Sequence, residues 1–155
     1  MIDDLYSAKV LALVAGMPRT GRLPAPDGTA EKTAKLCGSR IVVDVTVQDG
    51  KVADFAQDVA ACALGQAAAA VMGAQVIGAS LSEIEAARDA FRAMLKDDGP
   101  PPQGRFSDLA VLQAVKDFPA RHASSLLAFE ATAEAVRTAI KAKAGRTSRA
   151  RQAKV

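Results

Sequence analysis

Apolar residues occupy every second position along one stretch of the chain, at Ile41, Val43, Val45 and Val47. This spacing of two is typical of a β-strand with one buried face, and it leaves Asp44 on the side expected to meet solvent. Asp49-Gly50 follows, a dipeptide that favours a type I′ turn because both turn residues need a positive φ. Residues 51–56 then return as a second strand, so the pattern predicts a β-hairpin over residues 41–56.

Helical spacing of apolar residues is found in much of the remaining chain. A first helix is predicted to begin after the acidic residues 3–4 and to end near Gly16. Several Pro and Gly residues between positions 17 and 28 then predict an extended linker within the domain. After the hairpin, an uncharged, Ala-rich helix is expected over residues 62–77, with Gly78 as its terminating residue.

The second half of the chain is predicted to be helical, with one interruption. Ser80 and Glu83 have the spacing of a capping box, which predicts the start of an amphipathic third helix. Residues 99–104 are rich in Pro and Gly and predict an irregular excursion, followed by a short helix over residues 107–115. Pro119 fits the first turn of a last helix.

Composition and charge divide the chain into a body and a tail. The chain has 155 residues, 50% of them hydrophobic and 4% aromatic, which together with the hairpin predicts one α+β domain: a small antiparallel sheet with helices packed on one face. The net charge is +3, but the last fifteen residues contain six cations: Lys141, Lys143, Arg146, Arg149, Arg151 and Lys154. We therefore expect a single domain over residues 1–140 and a basic, disordered tail over residues 141–155. The tail has no aromatic residue to stack on bases, which argues against nucleic acid binding.

The longest uncharged stretch, residues 59–81, is long enough to cross a membrane. It consists mostly of Ala and Gly, with Gln66 and Gln75 inside it, and lacks the run of large apolar residues that favours insertion. We therefore interpret it as a buried helix and expect no membrane partner. Two cysteines without a basic leader favour a reducing, cytoplasmic location, where a structural disulfide is not expected.

Five short motifs follow one another in a recognisable order: Tyr6-Ser7-Ala8-Lys9-Val10, Met17-Pro18-Arg19 with Gly21, Cys37-Gly38, Cys62, and Phe118-Pro119-Ala120-Arg121. In this order and spacing, across residues 5–140, they resemble the IscU/NifU/SufU iron-sulfur cluster assembly scaffolds. The irregular residues 95–118 resemble an insertion of the SufU branch. The resemblance implies an IscU/SufE-like α+β fold and a scaffold or sulfur carrier rather than an enzyme.

The resemblance also implies a ligand set of three cysteines and one aspartate. Cys37 and Cys62 match the first two cysteines, whereas Ser39 stands at the aspartate position and Ser124 at the third cysteine. A serine hydroxyl keeps its proton near neutral pH, whereas a thiolate binds iron or zinc. Because a [2Fe-2S] cluster or a structural zinc takes four ligands, the two thiolates of one chain are too few.

Three ways of completing the ligand set remain open. His122, the only histidine, would give a Cys₂His metal site with Cys37 and Cys62, although it lies about 200° round a helix from Ser124. Two chains of a homodimer could instead supply two thiolates each. Glutathione or the sulfur of a partner protein could also complete the set.

The leading hypothesis is therefore iron-sulfur cluster assembly, in which Cys37 and Cys62 bind an iron-sulfur cluster, iron or zinc, or accept sulfur. Arg121, with Ser39 and Ser124, is expected to lie near the two thiols and to favour an anionic sulfur. The partners implied by the resemblance are a cysteine desulfurase and cluster-accepting proteins. Two alternatives remain: a degenerate, metal-free paralogue that acts as an interaction module, and a dithiol redox protein.

Overall fold

The computed structural model describes residues 6–36 and 38–153, with side chains described as far as residue 145. The elements in chain order are α1 (Ala8–Ala15), β1 (Gly28–Ala34), β2 (Ser39–Gln48), β3 (Lys51–Ala60), α2 (Ala63–Gln75), α3 (Leu81–Lys96), two 3₁₀ segments (Gly104–Asp117 and Pro119–Arg121) and α4 (His122–Ala153). The acidic residues 3–4 and Cys37 lie outside the described residues. Among the helices that are described, none combines the length and the apolar character needed to cross a bilayer.

The three strands form one antiparallel sheet in the order β1-β2-β3. Asp49 and Gly50 have φ values of 54° and 76°, which confirms the turn predicted between β2 and β3. The hairpin is longer than predicted because β3 continues to Ala60. A register shift between Thr46 and Val47 marks a bulge near the turn, which accommodates the extra residue in β3.

β1 is the strand that the sequence pattern does not predict. Its buried positions are Gly28, Ala30 and Ala34, small residues that are uncommon in strands. Their size follows from the packing of α4, because a Cβ on Gly28 would lie 2.2 Å from the carbonyl oxygen of Ala135 and 2.6 Å from the nitrogen of Ala139. The backbone of β1 therefore packs directly on α4, and a larger, more strand-like residue would not fit.

The core lies between one face of the sheet and the helices. Val45 and Phe55 are buried on that face, where α4 crosses β1 and β2, and α2 and α3 pack in turn on α4. Phe91 of α3 and Phe106 of the first 3₁₀ segment pack edge-on against Phe129 of α4, with ring centroids 5.8 and 5.3 Å away. The predicted α+β fold, with helices on one face of a small sheet, is confirmed.

The opposite face of the sheet holds a buried carboxylate. Asp44 is 0% exposed and accepts hydrogen bonds from Arg22 (2.6 Å), the Thr29 hydroxyl (2.6 Å) and the Leu23 N–H (3.0 Å). Burial alone would raise the pKa of Asp44, but these hydrogen bonds outweigh it and hold the pKa below its usual value. The expectation that Asp44 meets solvent is therefore wrong, because the segment after α1 folds over this face.

The predicted helices are present, with small shifts at their ends. α1 begins after Ser7, whose side chain caps its first turn, and ends before Gly16 as predicted. α2 ends at residue 75, earlier than predicted, and Gly78 has a φ of 87° in the turn that follows. The capping box of Ser80 and Glu83 at the start of α3 is confirmed, with both of its hydrogen bonds present.

The region before α4 is wound more tightly than predicted. Gly104–Asp117 is a 3₁₀ segment that replaces the short helix expected over residues 107–115. Pro119 begins the second 3₁₀ segment, and α4 starts directly after it at His122. α4 continues to residue 153 and so includes most of the predicted tail, while the domain boundary at residue 140 stays a prediction.

Candidate functional site

Cys62 stands at the junction of β3 and α2. It is the N-cap residue of α2, with φ and ψ of −66° and 168°, and it is partly exposed. β3 ends just before it, at Ala60, so the sheet delivers the thiol to the head of the helix. The first N–H groups of a helix have no partner within the helix, and they favour a negative charge such as a thiolate.

The sulfur of Cys62 meets the first turn of α4. Its Sγ lies 3.5 Å from the Oγ of Ser124, which is 1% exposed. The Ser124 hydroxyl also donates to the carbonyl oxygen of Arg121 at 3.2 Å, and the Ser125 hydroxyl donates to the same oxygen at 2.9 Å. The position that the resemblance assigns to a third cysteine therefore faces the sulfur of Cys62.

Ser39 contacts Cys62 from the start of β2. Its Oγ accepts a hydrogen bond from the backbone N–H of Cys62 at 3.4 Å, and Ser39 is as buried as Ser124. The starts of β2, α2 and α4 thus meet at one point, which brings Ser39, Cys62 and Ser124 together. Cys37 precedes Ser39 by two residues but lies outside the described residues, so its place in the site stays a prediction.

His122 packs against the first 3₁₀ segment. Its Nε2 lies 3.0 Å from the carbonyl oxygen of Val115 and 3.2 Å from that of Lys116, and the side chain is buried. Carbonyl oxygens only accept hydrogen bonds, so Nε2 carries a proton and only Nδ1 is left for a metal while these contacts last. His122 therefore faces the first 3₁₀ segment, whereas Ser124 faces Cys62, as expected for two residues about 200° apart round a helix. The role of His122 as a ligand stays a prediction.

The described residues provide few candidate ligands for a metal. No group of three or more His, Cys, Asp or Glu side chains that could hold a metal ion occurs among residues 6–36 and 38–153. Arg121 is partly exposed beside Ser124, and the described part of the chain gives its guanidinium no ion-pair or hydrogen-bond partner. The described residues of the site thus offer one thiol and two hydroxyls, and the placement of the Arg121 guanidinium beside them stays a prediction.

One polar residue near this site was not singled out from the sequence. Gln57 of β3 is fully buried, and its Nε2 donates to the carbonyl oxygens of Ala69 (2.9 Å) and Pro18 (3.3 Å). Within the described residues its Oε1 has no hydrogen-bond partner. A cavity of about 290 Å³ adjoins it, and the residues that line this cavity include Met17, Thr20, Gly21, Gln57, Asp58 and Gln66. Alternation along β3 could have located Gln57 on the inner face, but not the loop that encloses it.

The fold and the site, a three-stranded sheet with a cysteine at the head of the following helix, define a class of small α+β domains. Residues 5–125 match the family model of the NifU-like N terminal domain. This match spans well over half of the chain, so the chain belongs to that family. The resemblance stated from the sequence is confirmed at this level.

Similar proteins and structures agree with this assignment. The chain is 25% identical over 133 residues to the iron-sulfur cluster assembly scaffold protein IscU of Thermotoga maritima, an alignment that covers 86% of this chain and 93% of that protein. It is 32% identical over 101 residues to the protein of the same name from Streptococcus pyogenes serotype M1, covering 65% of this chain and 64% of that protein. A crystal structure of a nitrogen-fixing NifU-like protein (N-terminal) from Brucella abortus superposes with a TM-score of 0.88 at 48% identity, covering 90% and 97% of the two chains.

Proposed function

We propose that this chain takes part in iron-sulfur cluster assembly as a scaffold or sulfur carrier, with Cys62 and Cys37 as its reactive thiols. Iron and sulfide are then its cargo rather than a resident cofactor. Membership of the NifU-like family and the names of the two IscU relatives support this proposal. On the same grounds we propose a cytoplasmic location and a cysteine desulfurase as the sulfur donor.

The observation that carries the proposal is the 3.5 Å separation between the sulfur of Cys62 and the hydroxyl oxygen of Ser124. The resemblance assigns these two positions, which are far apart in the sequence, to ligands of one cluster. Ser39, at a third assigned position, hydrogen bonds to the backbone of Cys62. This convergence supports a site inherited for cluster chemistry, since packing alone gives no reason for the assigned positions to meet.

The two serines limit what one chain can hold. A hydroxyl remains protonated and is a weak, neutral donor, so Ser39 and Ser124 are suited to hydrogen bonding with a sulfide or thiolate rather than to ligation. We therefore propose that Cys37 and Cys62 supply two ligands, and that a second chain or an external thiol supplies the rest. Arg121 would balance the negative charge of such a cluster. His122 is a further candidate through Nδ1, and zinc is the alternative cargo.

Sulfur acceptance needs only one thiolate, and Cys62 is well placed for it. In this step the Cys62 thiolate attacks the outer sulfur of a persulfide on the desulfurase. A sulfur-sulfur bond forms on Cys62, the sulfur-sulfur bond of the donor breaks, and the donor cysteine leaves as a thiolate. The head of α2 favours the attacking anion, and Cys62 is partly exposed, as the reaction requires.

Anaerobic reconstitution with iron and sulfide tests the proposal. We expect visible absorption from a cluster and about one cluster for every two chains, with Cys62→Ala and Cys37→Ala each abolishing it. Size-exclusion chromatography with and without added glutathione distinguishes a bridging dimer from a cluster completed by an external thiol. If the wild-type chain holds neither iron nor zinc and accepts no sulfur from a desulfurase, the proposal is wrong.

A metal-free interaction module is the second candidate, and the serines at positions 39 and 124 are the observation that favours it. Such a module would keep the fold and the partner surface without holding cargo. In the reconstitution experiment it would stay colourless while it still binds a desulfurase. Rapid cycling between dithiol and disulfide, without metal, would favour a dithiol redox protein instead.

A further inference from the structure

Gln66 of α2 makes hydrogen bonds to the carbonyl groups on both sides of Cys62. Its backbone N–H donates to the carbonyl oxygen of Cys62 at 2.9 Å, and its side-chain Nε2 donates to the carbonyl oxygen of Ala61 at 2.7 Å. The first bond follows from helix geometry, since a helical N–H bonds to the carbonyl four residues earlier. The second bond depends on the glutamine side chain.

The side-chain bond holds a peptide group that Ser39 contacts through its other end. The carbonyl of Ala61 and the N–H of Cys62 belong to one planar peptide group. That N–H donates to the Oγ of Ser39 at 3.4 Å, which is long for an N–H···O hydrogen bond, whereas the bond from Gln66 is short at 2.7 Å. Gln66 therefore holds this peptide plane more firmly than Ser39 does.

The two peptide groups held by Gln66 meet at the Cα of Cys62. Holding both of them relative to α2 fixes the φ and ψ of Cys62, which are −66° and 168°, and with them the direction of its Cα–Cβ bond. In this orientation the sulfur lies at the head of α2, 3.5 Å from the Oγ of Ser124. Without the side-chain bond, the peptide group before Cys62 would have only the long bond to Ser39.

We propose that Gln66 is a positioning residue for Cys62, and that its side-chain bond to Ala61 keeps the thiol in the orientation that accepts sulfur. The inference rests on the sulfur-accepting role proposed for Cys62. Gln66 itself touches neither the sulfur donor nor the transferred sulfur in this role. It acts through the backbone on either side of the cysteine.

Amide hydrogen exchange tests the hold on the backbone. Gln66→Met keeps the length of the side chain and its neutral charge but removes the donor, and we expect the Cys62 amide to exchange about fivefold faster, the factor that one hydrogen bond of average net strength supports. The amide of Val71, in the middle of α2, should exchange at the wild-type rate. Gln75→Met is the matched control, because Gln75 is an exposed glutamine at the far end of the same helix.

Sulfur transfer from glutathione persulfide tests the consequence for the thiol. Cys37→Ala leaves Cys62 as the single thiol of the chain. The Cys62 thiolate attacks the outer sulfur of glutathione persulfide, a sulfur-sulfur bond forms on Cys62, and glutathione leaves as a thiolate, so no oxidant or reductant is consumed. In this background we expect Gln66→Met to slow the transfer by about two- to tenfold and Gln75→Met to leave it unchanged.

The outcomes separate this inference from the function on which it rests. Faster exchange at Cys62 together with slower transfer supports the positioning role. Transfer at the wild-type rate in Gln66→Met, or faster exchange at Val71 as well as at Cys62, overturns that role and leaves sulfur acceptance intact. If Cys62 of the parent protein accepts no sulfur from glutathione persulfide or from a desulfurase, both the inference and the sulfur-accepting role are wrong.

Discussion

Gly65 of α2 packs against the backbone carbonyl oxygen of Ser124 in α4, so closely that a Cβ on Gly65 would lie 3.0 Å from that oxygen. The same Cβ would lie 3.0 Å from the Cβ of Ala61. Gly65 follows Cys62 by one turn, so this contact sets the spacing of the two helices beside the thiol. The absence of a side chain at residue 65 is therefore a requirement of the site.

The first prediction concerns this spacing. Gly65→Ala should lower the free energy of unfolding by about 1 kcal/mol, since overpacking costs about 1–3 kcal/mol and the better helix propensity of Ala returns about 1 kcal/mol. Gly28→Ala should cost more, about 3 kcal/mol, because two backbone atoms of α4 lie closer still. Urea denaturation measures both. Gly145→Ala, whose Cβ meets nothing within 4 Å, is the control and should not destabilise the protein.

The second prediction is a gain of metal affinity from Ser124→Cys. The new sulfur would stand where an oxygen now lies 3.5 Å from the Cys62 sulfur, and so would add a thiolate to Cys62 and to Cys37, its proposed partner in the site. We expect zinc affinity at neutral pH to rise by at least about 100-fold, because even residues outside the ligand shell contribute about 10–100-fold. Competition with a chromophoric chelator measures it.

Ser125→Cys is the matched control for that substitution. Ser125 is also buried and also donates to the carbonyl oxygen of Arg121, but it lies about 100° further round α4. Its zinc affinity should remain that of the wild type. Equal gains from the two variants would mean that Ser124 has no special relation to the thiols.

The third prediction concerns the pH dependence of stability. The pKa of Asp44 is lowered in the folded protein, so its carboxylate stabilises the fold above its usual pKa of about 4, and this contribution is lost as the pH falls towards the lowered folded pKa. At pH 7, Asp44→Asn should cost about 2 kcal/mol, because Arg22 loses a charged hydrogen-bond partner. Urea denaturation between pH 2 and 7 should show this difference shrink as the pH falls below about 4.

Asp108→Asn is the control for Asp44→Asn, because Asp108 is an exposed carboxylate. It should change the free energy of unfolding by less than about 0.5 kcal/mol at any pH. A difference between the wild type and Asp44→Asn that stays constant down to pH 2 would contradict the assigned pKa direction.

The fourth prediction concerns the end of α2. Arg105 donates to the carbonyl oxygens of Gln75 (2.9 Å) and Ile77 (3.1 Å), and its Nε donates to Glu83 at 3.1 Å. The hydrogen bond from Arg105 also holds the pKa of Glu83 below its usual value. Arg105→Met keeps the apolar stem but removes these donors. It should lower the free energy of unfolding by about 1–2 kcal/mol, which a lower melting temperature would reveal.

Arg92→Met is the comparison for Arg105→Met. Arg92 contacts only carboxylates in its described ion pairs, Glu130 at 3.5 Å and Asp89 at 3.7 Å, and its side chain is 41% exposed. Exposed ion pairs of this kind contribute little to stability, so Arg92→Met should lower the free energy of unfolding by less than about 0.5 kcal/mol. Similar losses from the two variants would argue against the role of Arg105 at the α2 terminus.

Local chemistry explains which parts of the fold could be predicted from the sequence. The Asp49-Gly50 turn and the Ser80–Glu83 capping box depend only on residues close in sequence, so the local sequence pattern is enough to predict them. β1 depends on a distant helix, because Gly28 is required by the approach of α4 and not by its neighbours. Asp44 was misplaced for the same reason, since alternation along β2 does not reveal that Arg22 and Leu23 cover that face.

The residues of the candidate site also differ in how far the sequence could predict them. The resemblance supplied Cys62, Ser39 and Ser124, and their contacts now support a shared location. His122 could not be assigned, because the carbonyls that its Nε2 contacts belong to a 3₁₀ segment that the pattern represents as an ordinary short helix. Alternation along β3 places Gln57 on the inner face, but a glutamine in a strand is usually a solvent-facing residue, and its burial depends on the loop after α1.

The close packing of Gly28 against α4 also affects the candidate site, which lies at the N-terminal end of that helix. Sliding of α4 along β1 would press the backbone of Gly28 against the backbone of Ala135 and Ala139, where there is no room even for a Cβ. We therefore expect the start of α4, which carries Ser124, to keep its position relative to β1. For the cargo proposed above, any adjustment is then expected at the described residues on either side of position 37, where Leu36 is 82% exposed and Gly38 has a φ of 70°.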